Sequence, residues 1–115
     1  MERMSRLLGA HGDRFVRRWF TTPEISECGR CRNQAQAYAL RFAAKEAAWK
    51  AMALPLQGPL RWRSIGVLAP RGQPQIQLSG DVEQVARFVG ATSIVVSWSL
   101  TGKFATAFAL VLPAR

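Results

Sequence analysis

Gln34-Ala-Gln-Ala-Tyr-Ala-Leu-Arg-Phe-Ala-Ala-Lys-Glu-Ala-Ala-Trp-Lys-Ala-Met-Ala53 is the stretch on which the fold turns. Alanine has the highest intrinsic helix propensity, and neither glycine nor proline interrupts the run. Leu40, Ala44, Ala47 and Ala51 recur with the spacing of one helical face. Pro55, Gly58 and Pro59 then end the pattern. The spacing predicts one long helix over residues 34–53, long enough to organise a small domain around itself.

The chain before it reads as shorter helices. Residues 2–10 form a helix with Met4, Leu7 and Leu8 on one side, interrupted by Gly9, His11 and Gly12. Asp13 is placed to cap a second segment from Arg14 to Phe20, whose apolar face is Phe15, Val16, Trp19 and Phe20. Thr21-Thr22-Pro23-Glu24 combines a hydroxyl cap, a proline at the first position and an acid in the first turn, and the helix it opens stops near Gly29.

After residue 60 the period changes. Arg61 to Leu68 reads as a strand and Ala69-Pro70-Arg71-Gly72 as a turn. Gln75-Ile76-Gln77-Leu78 alternates like a half-buried strand, so residues 61–79 are expected to be a hairpin. Val82, Val85, Ala86 and Val89 mark a helix over residues 81–89, closed by Gly90. Residues 93–99 and 103–112 are two further strands joined at Thr101-Gly102. Helices first and hairpins later give an α+β class, a mostly antiparallel sheet with a long central helix. No repeat, linker or low-complexity tract divides residues 1–115, which read as a single domain.

Composition narrows the function. At 115 residues, 49% hydrophobic and 20% charged, the chain can bury a core without disulfides. No apolar run approaches the roughly 20 residues of a spanning helix, and the charged start Met1-Glu2-Arg3 leads into no signal-peptide core. Two cysteines make no disulfide scaffold, so a reducing, cytoplasmic setting is expected. Sixteen Lys and Arg against seven Asp and Glu give a net charge of +9, which calls for an anionic partner: nucleic acid, anionic membrane, a phosphorylated small molecule or an acidic protein.

Few acids are available for chemistry. Glu2, Glu24, Glu27, Asp81 and Glu83 stand at or near helix starts, where they favour the helix dipole, and Asp13 caps. Glu46 is left, at the centre of the long helix and four residues before Lys50. The pair reads either as a solvated helical salt bridge or as a carboxylate for a hard cation such as Mg2+, with Lys50, Arg41 and Lys45 on phosphates. Cys28-Gly29-Arg30-Cys31 is a lone C-x-x-C, and one histidine cannot complete a Cys2His2 zinc site, so both cysteines and His11 read as incidental. Trp19, Trp49, Trp62 and Trp98 read as core or subunit contacts, and Arg14, Arg17 and Arg18 by default as a solvated basic face.

Phe42-Ala43-Ala44-Lys45-Glu46-Ala47 followed by Lys50 resembles the signature of the 4′-phosphopantetheinyl transferases. The surrounding chain is similar to their small bacterial type, the holo-[acyl-carrier-protein] synthases, almost end to end. His11-Gly12-Asp13-Arg14-Phe15 and Phe20-Thr21-Thr22-Pro23-Glu24-Ile25 resemble the basic first helices and the turn after them. Gly72-Gln73-Pro74 resembles the G-x-P hairpin, and Val96-Ser97-Trp98-Ser99 with Phe104-Ala105-Thr106-Ala107 the last two strands. The resemblance implies transfer of 4′-phosphopantetheine from coenzyme A to a serine of an apo acyl carrier protein, with release of 3′,5′-ADP, Mg2+ dependence and a homotrimer. Nucleic acid and membrane are not among the implied partners. It implies Glu46 as metal ligand and catalytic residue with Lys50, which contacts the reacting phosphate or assists deprotonation of the serine. Arg41 and Lys45 are implied on the phosphates of coenzyme A, Ser97 and Ser99 near the pantetheine arm, and Arg3, Arg14 and Arg18 against the acidic carrier protein.

Three departures accompany the resemblance. The opening strand with a G-x-D motif, whose aspartate is a second metal ligand, has no counterpart here. Ala53-Leu54-Pro55 replaces G-T-G after the lysine, and Leu100 stands where a histidine often follows S-x-S. They keep a second expectation open, a non-catalytic relative that still binds carrier protein or coenzyme A. A basic nucleic-acid-binding module is a third, supported by charge alone.

Overall fold

In the computed structural model, residues 2–56, 61–91 and 93–112 are described; along the first helix the side chains of residues 2, 3, 5–8, 10, 11 and 13 are not. Glu2, Leu7, Leu8, His11, the capping role of Asp13 and the stop at Gly58-Pro59 therefore lie outside the described residues.

The alanine-rich stretch forms a helix, α3, over Gln34–Met52. Asn33 caps its start by accepting the Gln36 N–H at 3.0 Å. Ala53 ends it in the left-handed region, at φ 47°, where glycine is the usual residue. α3 carries buried residues around much of its circumference: Ala37, Tyr38, Arg41, Ala44, Lys45, Ala48 and Met52. Its small side chains let other elements approach closely on several sides.

Two helices precede it. α1 runs over Glu2–Trp19 and breaks at Gly12, whose φ of 50° and ψ of −129° only glycine adopts readily. The interruption expected between residues 9 and 12 is thus a kink within one element. α2, Thr22–Gly29, opens with a reciprocal capping box: Thr21 N–H donates to Glu24 Oε1 at 2.8 Å, and Glu24 N–H donates to Thr21 Oγ1 at 3.3 Å.

Residues 61–64 correct the expected strand. Trp62–Ser64 is a 3-10 turn, with Ser64 N–H donating to Arg61 at 2.9 Å. The turn buries the Trp62 ring and aims its carbonyl at Lys45, two demands that an extended chain at this point does not meet. The strand begins at Ile65: β1 (Ile65–Leu68) pairs antiparallel with β2 (Gln75–Leu78). Helix α4 (Gly80–Val89) follows, closed by Gly90 in the left-handed region. β3 (Ser93–Thr101) and β4 (Phe104–Leu112) form a longer antiparallel hairpin, with Ser97 opposite Phe108 and Ser99 opposite Thr106. The fold is α+β with antiparallel pairing throughout the described strands, in two two-stranded sheets rather than one.

Three buried clusters converge on α3. Met4, Val16, Phe20 and Cys28 pack on Ala37 and Tyr38; Val67 and Val96 pack on Ala44; Ile65, Val82 and Ala86 pack on Ala48 and Met52. The β3–β4 hairpin turns Ile94, Val96, Trp98, Ala107 and Ala109 toward these clusters. Its other face leaves Phe104, Phe108 and Leu110 at 73%, 75% and 66% exposure.

Candidate active-site groove

The i,i+4 repeat along α3 aims one set of side chains away from the core, into a groove between α1, α3 and β4. The groove measures 1160 Å3. Its charged lining comes from three elements: Arg14 and Arg18 from α1, Glu46 and Lys50 from α3, and Lys103 from the turn before β4. Phe15, Trp19, Phe42, Phe104 and Phe108 make its aromatic walls. Phe42 and Trp19 meet edge to face at 6.0 Å, so the wall between α1 and α3 is continuous.

Glu46 and Lys50 stand together there, with Nζ donating to Oε1 at 3.2 Å. Their side chains are 46% and 73% exposed. A pair so open to water adds only a few tenths of a kcal/mol to stability, about the value of any exposed i,i+4 pair. Both groups are accessible to a ligand.

Arg41 and Lys45 correct the expectation that they face phosphates. Lys45 is fully buried, and its three protons have three acceptors: Glu24 Oε1 at 2.6 Å, the Trp62 carbonyl at 2.9 Å and the Ile65 carbonyl at 2.6 Å. Burial pulls its pKa below the ordinary lysine value, against the opposing pull of the Glu24 carboxylate. Arg41 is 4% exposed, pairs with Glu27, donates to the Ala37 carbonyl at 3.0 Å and lies 5.3 Å from the centre of the Trp98 ring. Its Nε has no hydrogen-bond partner among the described residues. One face of α3 therefore carries Glu46 and Lys50 outward, while Arg41 and Lys45 are used up inside.

The acids that receive them were read as helix-start residues. Glu24 also accepts Val67 N–H at 3.0 Å through its second oxygen, and Glu27 accepts Ala69 N–H at 2.8 Å. Burial pushes the Glu27 carboxyl up, but the Arg41 guanidinium and the Ala69 N–H outweigh it and hold the group below the usual carboxylate value. The sequence signal was present as spacing: two acids at i,i+3 on α2 and two bases at i,i+4 on α3.

The remaining candidates divide. Arg14 and Arg18 reach the groove; the side chain of Arg3 lies outside the described residues. Ser99 is exposed and its hydroxyl lies 2.9 Å from that of Thr106, which lines the groove. Ser97 is exposed opposite Phe108. Lys103, Phe104 and Phe108 were not expected; the only signal was a strand that alternates large and small apolar residues, leaving its phenylalanines without a core to enter. Trp19 and Trp62 pack with ring centres 5.7 Å apart and planes tilted by 46°, Trp62 buried and Trp19 half-buried where it lines the groove. Cys28 and Cys31 are free, and burial pushes the Cys28 thiol up to about 12.

No group of three or more His, Cys, Asp or Glu gathers among the described residues. Among the described residues, Glu46 is the one carboxylate lining the groove. That donor set fits Mg2+, which takes one or two carboxylates and completes its shell with phosphate oxygens and water. It does not fit a cation caged by protein alone.

Comparison with known proteins agrees with this geometry. Residues 1–109 match the family described as the 4′-phosphopantetheinyl transferase superfamily. The chain is 41% identical over 93 residues to a holo-[acyl-carrier-protein] synthase of Methylobacterium radiotolerans, covering 79% of this chain and 68% of that one. It is 39% identical over 111 residues to the synthase of Alkalilimnicola ehrlichii, covering 95% and 87%. Among solved structures, the ACPS–CoA complex of Chronobacterium ammoniagenes superposes with a TM-score of 0.83 at 28% identity, over 99% of this chain and 91% of that one. The holo-[acyl-carrier-protein] synthase of Neisseria meningitidis superposes at 0.82 and 28%, over 94% and 87%. Sequence signature, fold and groove thus converge, and the chain belongs to the 4′-phosphopantetheinyl transferase superfamily.

Proposed function

We propose that this chain is a holo-[acyl-carrier-protein] synthase that works through the groove between α1, α3 and β4. The observation that carries the proposal is the placement of Glu46 and Lys50, the outward pair of the family signature, in a cationic groove with Arg14, Arg18 and Lys103. In the reaction, the serine oxygen of an apo acyl carrier protein attacks the phosphorus bearing the pantetheine arm of coenzyme A. The bond from that phosphorus to the 3′,5′-ADP oxygen breaks, and the serine loses its proton. Such a step needs positioning and charge neutralisation more than covalent help.

The residues divide the work. Glu46 would hold Mg2+ together with substrate phosphate, and the ion, when bound, neutralises charge on the reacting group. Lys50, one helical turn further on, stands where it can contact that phosphate or help draw the serine proton. Arg14 and Arg18, exposed on α1, face an acidic carrier protein, and a net charge of +9 speeds encounter with both polyanionic substrates. Ser99, whose hydroxyl meets that of Thr106 on the groove, and Ser97, opposite Phe108, would lie near the pantetheine arm.

The exposed apolar face of β3–β4, with Val95 at 52% and Phe108 and Leu110 higher still, supports a homotrimer that covers it. Light scattering on the purified protein tests that number. Two free cysteines support a reducing, cytoplasmic setting. Among the described residues no helix is long and apolar enough to cross a membrane.

The test is a mass shift. The chain is incubated with Mg2+, coenzyme A and an apo acyl carrier protein, and the carrier protein is weighed. Addition of one phosphopantetheine mass is expected. A folded chain that binds carrier protein or coenzyme A and adds no mass overturns the proposal. It would establish the second reading, a binding relative without catalysis, which a groove with one carboxylate among the described residues favours.

A further inference from the structure

The reading above places Glu46 and Lys50 in the groove; the inference concerns what keeps them there, and it rests on that reading. α3 enters the three buried clusters through Ala37, Tyr38, Ala44, Ala48 and Met52, and on either side of Glu46 these contacts are the methyl groups of Ala44 and Ala48, which set the rotation of a helix only loosely. A helix turns about 100° per residue, so a modest rotation would carry Glu46 out of the groove.

Two ion pairs lie along one line of the same helix, one turn apart. Lys45 is held by Glu24, and Arg41 by Glu27. Both pairs end along one edge of β1 and the residue that follows it. Lys45 donates to the Ile65 carbonyl, Glu24 accepts the Val67 N–H and Glu27 accepts the Ala69 N–H. The side chains occupy the edge positions at alternate residues, where a neighbouring strand would otherwise bond. Hydrogen bonds are directional where apolar packing is not. The three protons of Lys45 meet three acceptors fixed on different elements, so its azimuth is defined, and Glu46 is the next residue.

We propose that Glu24 and Lys45 are positioning residues of the transferase site. With Glu27 and Arg41 they lock α3 to the edge of β1 at the rotation that presents Glu46 and Lys50 to the groove. An ion pair is not needed here for stability as such, because buried pairs can often be replaced by uncharged groups of similar size at little cost. Fixing a rotation is what the apolar replacement cannot do.

The test is the double variant Glu24→Gln with Lys45→Met, which keeps both side-chain lengths and removes both charges. Mn2+ is bound in the presence of saturating coenzyme A and followed by electron paramagnetic resonance, alongside turnover and the circular-dichroism melt. The variant is expected to fold, to bind Mn2+ about tenfold more weakly, and to lose about 10–100-fold in kcat, as small misplacements of reacting groups do. KM for the carrier protein, set by Arg14 and Arg18 on α1, should not move. A merely structural pair would lower turnover only in proportion to the folded fraction and leave the Mn2+ affinity of the folded protein unchanged, which overturns the proposal.

Glu46→Gln serves as the control. If it weakens Mn2+ and the double variant does not, positioning alone is overturned; if neither does, the role of Glu46 falls with it. Should the double variant fail to fold, Glu24→Asp keeps the charge and shortens the reach by one methylene. A Glu24→Asp protein with native Mn2+ affinity and native turnover overturns the proposal.

Discussion

Lys45 and Glu46 are neighbours in the chain, and each sits in an ion pair, yet the two pairs have opposite characters. Lys45 meets Glu24 with both side chains fully buried, in a geometry that leaves none of its protons unpaired. Glu46 meets Lys50 in water, at 3.2 Å. The inner pair is expensive to break and inert toward ligands. The outer pair is nearly worthless to stability and open to chemistry. One residue step on a helix separates a buried pair from one that a ligand can reach, and residue type alone does not say which side of that step a charge falls on.

The contrast can be broken first at its stable end. Lys45→Met alone leaves the Glu24 carboxylate buried beside the Val67 N–H without its cation. It should cost about 3–5 kcal/mol, a large part of the stability of a small domain, and appear as a greatly lowered urea midpoint. Glu46→Ala attacks the other end. Turnover should fall about 100–1000-fold in the mass-shift assay, while the urea midpoint stays within about 0.5 kcal/mol of native. A Glu46→Ala protein that melts early would make the outer pair structural and erase the distinction.

The second inner pair sharpens it. Glu27→Gln should destabilise by about 2 kcal/mol at neutral pH, because Arg41 loses a charged acceptor. Glu27 is held below its ordinary value of 4.5 in the folded state, so its stabilisation is complete above 4.5 and is lost as pH falls through the lower folded value. Acid titrations of stability should therefore show a shallower decline below pH 4.5 in Glu27→Gln than in the native chain. The smallest effect is expected where α3 ends. Ala53 holds φ at 47°, and Ala53→Gly should raise stability by about 0.5–1 kcal/mol in the same urea experiment.

Much of the fold was legible because it rests on local chemistry. The Thr21–Glu24 box, the Gly12 break, the turns before Gln75 and after Thr101, and the alanine run of α3 all act over a few residues. The strand expected from Arg61 failed at residues 61–64, where Trp62 turns its carbonyl to Lys45, 17 positions earlier in the chain. The site was half legible for a related reason. On an alanine-rich helix the stripe of Leu40, Ala44, Ala47 and Ala51 is one of several small-residue faces, so periodicity cannot say which of Arg41, Lys45, Glu46 and Lys50 turn inward. That is settled by Glu24 and Glu27 on another helix. Lys103 and the phenylalanines of β4 entered the groove through hairpin register, which no local pattern announces.

The edge of β1 has a further consequence. Strand edges with free N–H and C=O groups are where proteins stick to one another, and short β hairpins are exposed to that risk. Here the Val67 and Ala69 amides and the Ile65 carbonyl are already bonded to side chains of the same chain. The edge offers an incoming strand nothing to bond at these positions, and a buried charge bars its approach. The four residues that hold α3 thus also occupy a strand edge, so a change that loosens them exposes that edge and favours aggregation.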